Sequence, residues 1–269
     1  MRRLTGAAAL LAATLPLAVG AAVDAFPGAA SAYLVEVDGK PLWSREADAP
    51  RAPASLTKLM TALLVSEADG SPQAVATVSA RTASATGSRL GLKAGDRMRV
   101  PDLLAAALIA SANDACRALA EWRDGDEERF VGRMNARAAA LGLVRTRFRN
   151  ACGHDAPGHR STASDLATLA RAAMARPDIA ALVRRVDAVV STVDGRRRFP
   201  LSNRNALIGR YDGAIGVKSG FTALAGPCLI VLAERHDVQV LLVMLNGRER
   251  WWDAHRMLDR AFERAAHPR

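Results

Sequence analysis

The chain predicts an α/β protein with strands at both ends and helices between them. Three observations carry this. A strand–Asp38–Gly39–strand pattern opens the chain after residue 32. Helix-period apolar spacing dominates residues 54–175. Three β-branched apolar runs separated by turn residues fill 214–245. A strand-rich start and end around a helical middle suggests one sheet with a second, helical lobe, and a cleft between lobes is a common place for a site.

The elements follow in order. Residues 33–43 read as a β-hairpin, because Asp-Gly suits the tight turn that matches strand twist. Residues 54–68 read as a helix after Pro53. Leu56, Leu59, Met60, Leu63 and Leu64 cover much of its circumference, so it is expected at the centre of the domain. Further helices are expected over 101–110, 114–122, 127–141 and 164–175, the last with Ser164 as N-cap and Pro177 beyond its end. Val189–Val193 and Arg196–Leu201 flank Asp194–Gly195 as a second hairpin. Strands are expected over 214–225, 227–234 and 238–245. A final helix is expected over 250–265, with Trp251, Met257, Leu258 and Phe262 on its apolar side.

Length and composition narrow the function. The 269 residues suffice for one large domain. Lys+Arg is 37 against 27 acidic residues, a formal charge of +10, and only Lys40, Lys58, Lys93 and Lys218 are lysines. The arginines are scattered and aromatics are 4%, which is not the clustered, aromatic-laced stripe of a nucleic-acid binder. The run from Gly6 to Val23 is uncharged and follows Arg2 and Arg3, the pattern of a secretory leader. Cleavage is expected after Ala22, with Ala32 as the alternative. The mature unit is then 23–269, with a sheet lobe over about 33–75 and 186–269 and a helical lobe over about 76–185. No stable membrane anchor is expected after cleavage, and no second domain. Export permits disulfides. Cys116, Cys152 and Cys228 are odd in number, so at least one stays unpaired, and all three read as small buried side chains.

Three short motifs carry chemistry. Ser55 and Lys58 form S-x-x-K at the start of the central helix, three residues apart and hence on one face. A serine needs a neighbour to take its proton. A lysine whose ammonium form is disfavoured by burial can do so, and arginine cannot. No other lysine here has a serine three residues before it. Ser111-Ala112-Asn113 lies between two helices, where a hydroxyl can relay a proton and an amide can hold both substrate and lysine. The competing reading is an ordinary helix N-cap. Lys218-Ser219-Gly220 lies on a strand, with Phe221 and Thr222 following. A cation and two hydroxyls suit a terminal carboxylate, and Gly220 lets a substrate approach the strand closely. Cys152, His154 and His159 share one loop, but a fourth ligand is not evident, so no metal and no cofactor is expected.

S-x-x-K, then S-D-N, then K-T-G is the signature of class A β-lactamases and penicillin-binding proteins; here the second and third occur as S-A-N and K-S-G, with Ser219 keeping the hydroxyl of the usual threonine. The chain resembles the D-alanyl-D-alanine carboxypeptidases, the low-molecular-mass penicillin-binding proteins, on Pro53–Thr61, Gly87–Asp96, Ser111–Ala115, Ser161–Ala167 and Gly216–Gly226. The resemblance implies a β-lactamase/transpeptidase-like fold, mainly an antiparallel sheet flanked by helices. It implies Ser55 as acylated nucleophile and Lys58 as base, with Ser111 and Asn113 lining the cleft. Lys218, Ser219, Gly220 and Thr222 would bind the substrate carboxylate region, with Arg250, or the nearby Arg248, at the final helix. The backbone N–H groups of Ser55 and Phe221 would form the oxyanion hole. The implied partners are peptidoglycan stem peptides and, as covalent inhibitors, β-lactams, in the periplasm. Cleavage of cross-links by a DD-endopeptidase is the alternative activity. An inactive wall-binding protein is disfavoured by the intact motifs. A class A β-lactamase is disfavoured because no Glu-x-x-Leu-Asn segment lies between Ser111 and Lys218.

Overall fold

The computed structural model describes residues 24–69 and 74–267. The expected leader lies outside the described residues. The chain runs β1 (Ala32–Val37), β2 (Lys40–Arg45), a 3-10 turn (Ala54–Thr57), α1 (Lys58–Ser66), β3 (Val75–Thr77), α2 (Ala80–Ala83), β4 (Arg97–Arg99), α3 (Val100–Ile109), α4 (Asn113–Asp124) and α5 (Glu127–Ala140). It continues through α6 (Ala163–Met174), α7 (Pro177–Val183), β5 (Asp187–Ser191), β6 (Arg198–Ser202), β7 (Ala214–Thr222), β8 (Gly226–Arg235), β9 (Val238–Leu245) and α8 (Arg250–Ala266).

The two ends of the chain share one antiparallel sheet of order β2-β1-β9-β8-β7. Both of its faces are covered, and the period-2 geometry of a strand divides its side chains between them. Tyr33, Val35, Leu229, Val231, Leu242 and Met244 pack against Ala254, Met257 and Leu258 of α8. Leu34, Ile230, Val243 and Leu245 point the other way, into the larger core built by α1 and the helices around it. The first hairpin turns as expected, with Asp38 at φ 48° and Gly39 at φ 76°.

Every α1 residue from Lys58 to Val65 is buried, which places this helix at the centre of the molecule. Its start differs from the expected single helix over 54–68. Residues 54–57 form a 3-10 turn, and Ala54 adopts φ 49°, a left-handed conformation costly for a residue with a Cβ. The cause is tertiary. A Cβ on Gly153 would lie 1.9 Å from the Ala54 carbonyl oxygen, and one on Gly220 would lie 2.9 Å from the Ser55 nitrogen. Two backbones thus press on the turn from the loop before α6 and from β7. Gly220 thus also serves the approach of this turn.

Two smaller readings also change. Thr162, not Ser164, caps α6: its hydroxyl accepts from the Asp165 N–H at 3.0 Å, while the Ser164 hydroxyl donates to Ala47 O. The cysteines are not three independent buried side chains. Cys116 and Cys152 form a disulfide with Cα atoms 5.9 Å apart, because the loop at 150–154 packs directly on α4. Cys228 is free and buried.

Candidate active site

The 3-10 turn, the α3–α4 junction, the loop at 150–154 and β7 meet at one place. Ser55 sits in the turn and Lys58 opens α1. The Lys58 amine reaches Ser55 Oγ at 3.0 Å, Asn113 Oδ1 at 2.8 Å and the Cys152 carbonyl at 2.7 Å. Lys58 is wholly buried. Burial holds its pKa well below the ordinary lysine range, and the charge of Lys218 lowers it further.

The α3–α4 junction shows why its side chains are free for this work. The N-cap of α4 is Ala112, and no side chain caps the helix. Asn113 Nδ2 instead donates to Thr86 O at 2.6 Å, which turns Oδ1 towards Lys58. The Asn113 N–H donates to Ser88 O. Ser111 has φ 60°, another left-handed non-glycine residue, and its hydroxyl accepts from Lys218 Nζ at 2.9 Å. Lys218 also donates to Ser219 O at 2.9 Å. Burial, with Arg250 and Arg204 nearby, brings its pKa down to about 7.

The remaining expected residues lie around this core. Ser219 Oγ donates to Arg204 O at 2.9 Å. The Thr222 hydroxyl donates to Asp155 Oδ1 at 2.6 Å, so in this state it is engaged by the protein itself. Phe221 is largely exposed at the end of β7. Arg250 donates to Gly220 O at 2.6 Å and to Cys228 O at 3.3 Å, which ties the first turn of α8 to β7 and β8.

Several contributors carry no motif of their own. The buried Asp114 carboxylate accepts from the N–H groups of Leu90, Gly91 and Leu92, and so fixes the segment that receives Asn113. His159 holds the nucleophile turn. Its Nδ1 accepts from the Arg149 N–H, leaving Nε2–H to donate to Thr57 Oγ1, whose own proton goes to the Ala54 carbonyl. That assignment requires a neutral ring, and burial does lower the His159 pKa, to about 4. Asp114 falls within the Ser111–Ala115 stretch and His159 within the loop at 151–160, but neither partner is marked in the sequence. Of the three loop residues first weighed as metal ligands, Cys152 is in the disulfide and both His159 nitrogens are engaged.

The sequence and the fold match known proteins. Residues 22–249 match the profile of the D-alanyl-D-alanine carboxypeptidase family. The D-alanyl-D-alanine carboxypeptidase DacF of Bacillus subtilis is 37% identical over 250 residues, covering 89% of this chain and 64% of its own. The chain therefore spans less than two thirds of that relative. The Streptomyces K15 DD-transpeptidase superposes with a TM-score of 0.82 at 29% identity, covering 87% of this chain and 97% of its own. Penicillin-binding protein D2 of Listeria monocytogenes, solved in its ampicillin-bound form, superposes with a TM-score of 0.76 at 31% identity, covering 86% and 96%. The chain belongs to the D-alanyl-D-alanine carboxypeptidase family, and its fold is the transpeptidase-like α/β fold of these structures.

Proposed function

We propose that this chain is a serine-type D-Ala-D-Ala carboxypeptidase acting on peptidoglycan stem peptides. One observation carries the reading: a wholly buried lysine, its ammonium form disfavoured, stands 3.0 Å from a serine hydroxyl at the mouth of the central helix. Ser55 Oγ attacks the penultimate D-Ala carbonyl as its proton passes to Lys58. The tetrahedral oxyanion is received by the N–H groups of Ser55 and Phe221, a preorganised pair of the kind worth about 10²–10³ in rate per donor. The close seating of Gly220 on the Ser55 nitrogen supports that pairing. As the C–N bond breaks, the leaving D-Ala nitrogen takes the proton that Lys58 received, relayed by the Ser111 hydroxyl, and Lys58 is again a neutral base. Lys218, with Ser219 beside it, binds the terminal carboxylate, and Thr222 joins them if it leaves Asp155. Arg250 acts on this subsite through the Gly220 carbonyl that it holds. Water then hydrolyses the acyl-enzyme. β-Lactams acylate the same serine in this reading, which the ampicillin-bound Listeria relative supports.

The leader over 1–22 directs the protein across the inner membrane to the periplasm, and residues 23–269 form one catalytic unit. Cleavage after Ala22 is supported by Asp24 and Phe26, which pack on the first hairpin: Tyr33 donates to Asp24, and Phe26 meets the Trp43 ring edge-on. Cleavage after Ala32 would remove both. Among the described residues no helix is long and apolar enough to cross a membrane.

A fluorescent penicillin is expected to label the purified protein covalently, and Ser55→Ala to lose the label. Labelling that persists in Ser55→Ala defeats the assignment. Digestion of purified sacculi should release D-Ala. Release of uncrosslinked muropeptides without D-Ala would point instead to endopeptidase action.

A further inference from the structure

Three oxygens surround the Lys58 amine, and they are not equivalent. A neutral amine has two protons and one lone pair. Asn113 Oδ1 and the Cys152 carbonyl can only accept, so they take the two protons. The lone pair is left facing Ser55 Oγ, the one neighbour able to donate. The orientation of the base thus depends on two acceptors from separate parts of the chain. Asn113 stands at the start of α4, and Cys152 lies in the loop before α6. Cys116 lies three residues after Asn113 on the same face of α4, and its sulfur is bonded to that of Cys152. Both cysteines are at most 1% exposed. Within the loop, Asn150 Oδ1 accepts from the N–H groups of Cys152, Gly153 and His154 at 3.3, 2.7 and 3.0 Å. Ala151 is tied to the core on both sides, its carbonyl accepting from Thr61 on α1 at 2.6 Å and its N–H donating to Glu127 on α5 at 3.0 Å, while the sulfur bond joins Cys152 itself to α4.

We propose that the Cys116–Cys152 disulfide is a positioning element of the catalytic machinery, holding the Cys152 carbonyl against Lys58 so that the amine lone pair faces Ser55. This rests on the reading of Ser55 as nucleophile and Lys58 as base. The bond forms by thiol–disulfide exchange: the two thiols give two electrons and two protons to a disulfide-bearing oxidant, which leaves as a dithiol. An exported protein meets such oxidants, and a cytoplasmic one does not. Without the bond, the loop can shift from α4 and water reaches the amine. Misplacement of a reacting group by about 1 Å can cost about 100-fold in rate.

Two measurements test this. The mature protein, denatured without reductant and treated with iodoacetamide, should gain one carbamidomethyl group, on Cys228. Three groups would overturn the proposal. The rate of acylation by a fluorescent penicillin is then followed from about pH 5 to about pH 11, which reaches past the ordinary lysine value of about 10.4. In the Cys116→Ala/Cys152→Ala protein the limiting rate should fall between about 10- and 100-fold with little change in half-saturating concentration. Its rising limb should also move to higher pH, because water beside Lys58 relieves the burial that depresses its pKa. His154 on the loop and Lys218 on β7, the other titratable groups facing Lys58, are unchanged in both proteins. An unchanged rate and limb would overturn the proposal, whereas a purely structural link would lower thermal stability alone. If the variant does not fold, unmodified protein reduced with dithiothreitol replaces it, the reagent closing to a cyclic disulfide as Cys116 and Cys152 become thiols. Failure of unmodified protein to label at all would overturn the reading of Ser55 and Lys58 itself, and is told apart on that ground.

Discussion

Lys58 and Lys218 are both stripped of water, yet their surroundings are built to opposite ends. Lys58 meets three oxygens, two of which can only accept, and the charge that acts on its pKa is another cation, Lys218. Among the described residues no carboxylate bonds to it, so no anion holds its proton. Lys218 donates to one hydroxyl and one carbonyl, with Arg204 and Arg250 nearby. That wall gathers positive charge beside hydroxyl groups. The first wall is arranged to take a proton from a neighbour, and the second to receive an anion. Lysine suits both ends: at Lys58 it can give up its proton when buried, which a guanidinium cannot, and at Lys218 it is a compact charge in a narrow cleft.

The comparison breaks most visibly at Lys58. Lys58→Arg keeps charge and length but has no lone pair to offer, so acylation should fall by about 10²–10⁴ in a stopped-flow penicillin assay. Retained activity would mean that the base lies elsewhere. Lys218→Met should cost about 10–100-fold in kcat/KM for a D-Ala-D-Ala peptide, the worth of one hydrogen bond to a charged group. It should also move the rising limb of the pH profile to higher pH, because one of the two causes depressing the Lys58 pKa is then gone.

The unmodified protein should give a bell-shaped kcat/KM profile. Activity rises as Lys58 loses its proton, and falls as Lys218 loses its own near its pKa of about 7. A bound carboxylate favours the Lys218 ammonium, so the falling limb of kcat should lie at higher pH than that of kcat/KM. Coincident limbs would argue against carboxylate binding at Lys218.

The smallest expected effect concerns the floor beneath Ser55. His159→Ala should lower unfolding stability by about 1–3 kcal/mol in urea, since it leaves buried partners unsatisfied, and should change acylation less than about tenfold. The sign with pH follows from the displaced His159 pKa. The unfolded chain takes up the proton near pH 6.5 and the folded one only near about 4. The stability from the His159 contact is therefore full above about pH 6.5 and is lost as pH falls towards about 4. His159→Ala should flatten that part of the stability curve.

The strands, most helices and the three motifs were legible because each rests on local pattern. The Asp38–Gly39 turn, the all-round apolar α1 and the apolar runs of β8 and β9 need only their own residues. What escaped was set by approach. Residues 54–57 read as ordinary helix, and only the pressure of Gly153 and Gly220 makes them a strained 3-10 turn. Ser111 and Asn113 read equally well as caps until Lys58 and Lys218 arrive beside them. Cys116 and Cys152 have no local sign of pairing, and neither Asp155 nor His159 announces its partner. The relation of each to the site exists only once α4, the loop before α6 and β7 are packed.

The two glycines that flank the nucleophile turn also bear on the order of assembly. Residues 54–55 meet Gly153 and Gly220, partners far along the chain, and contacts of such long range form only after the intervening loops have closed. The strained turn has little local propensity to hold itself. Partly folded forms of this protein should therefore lack a competent serine, and covalent labelling at Ser55 becomes a clock for the final stage of folding.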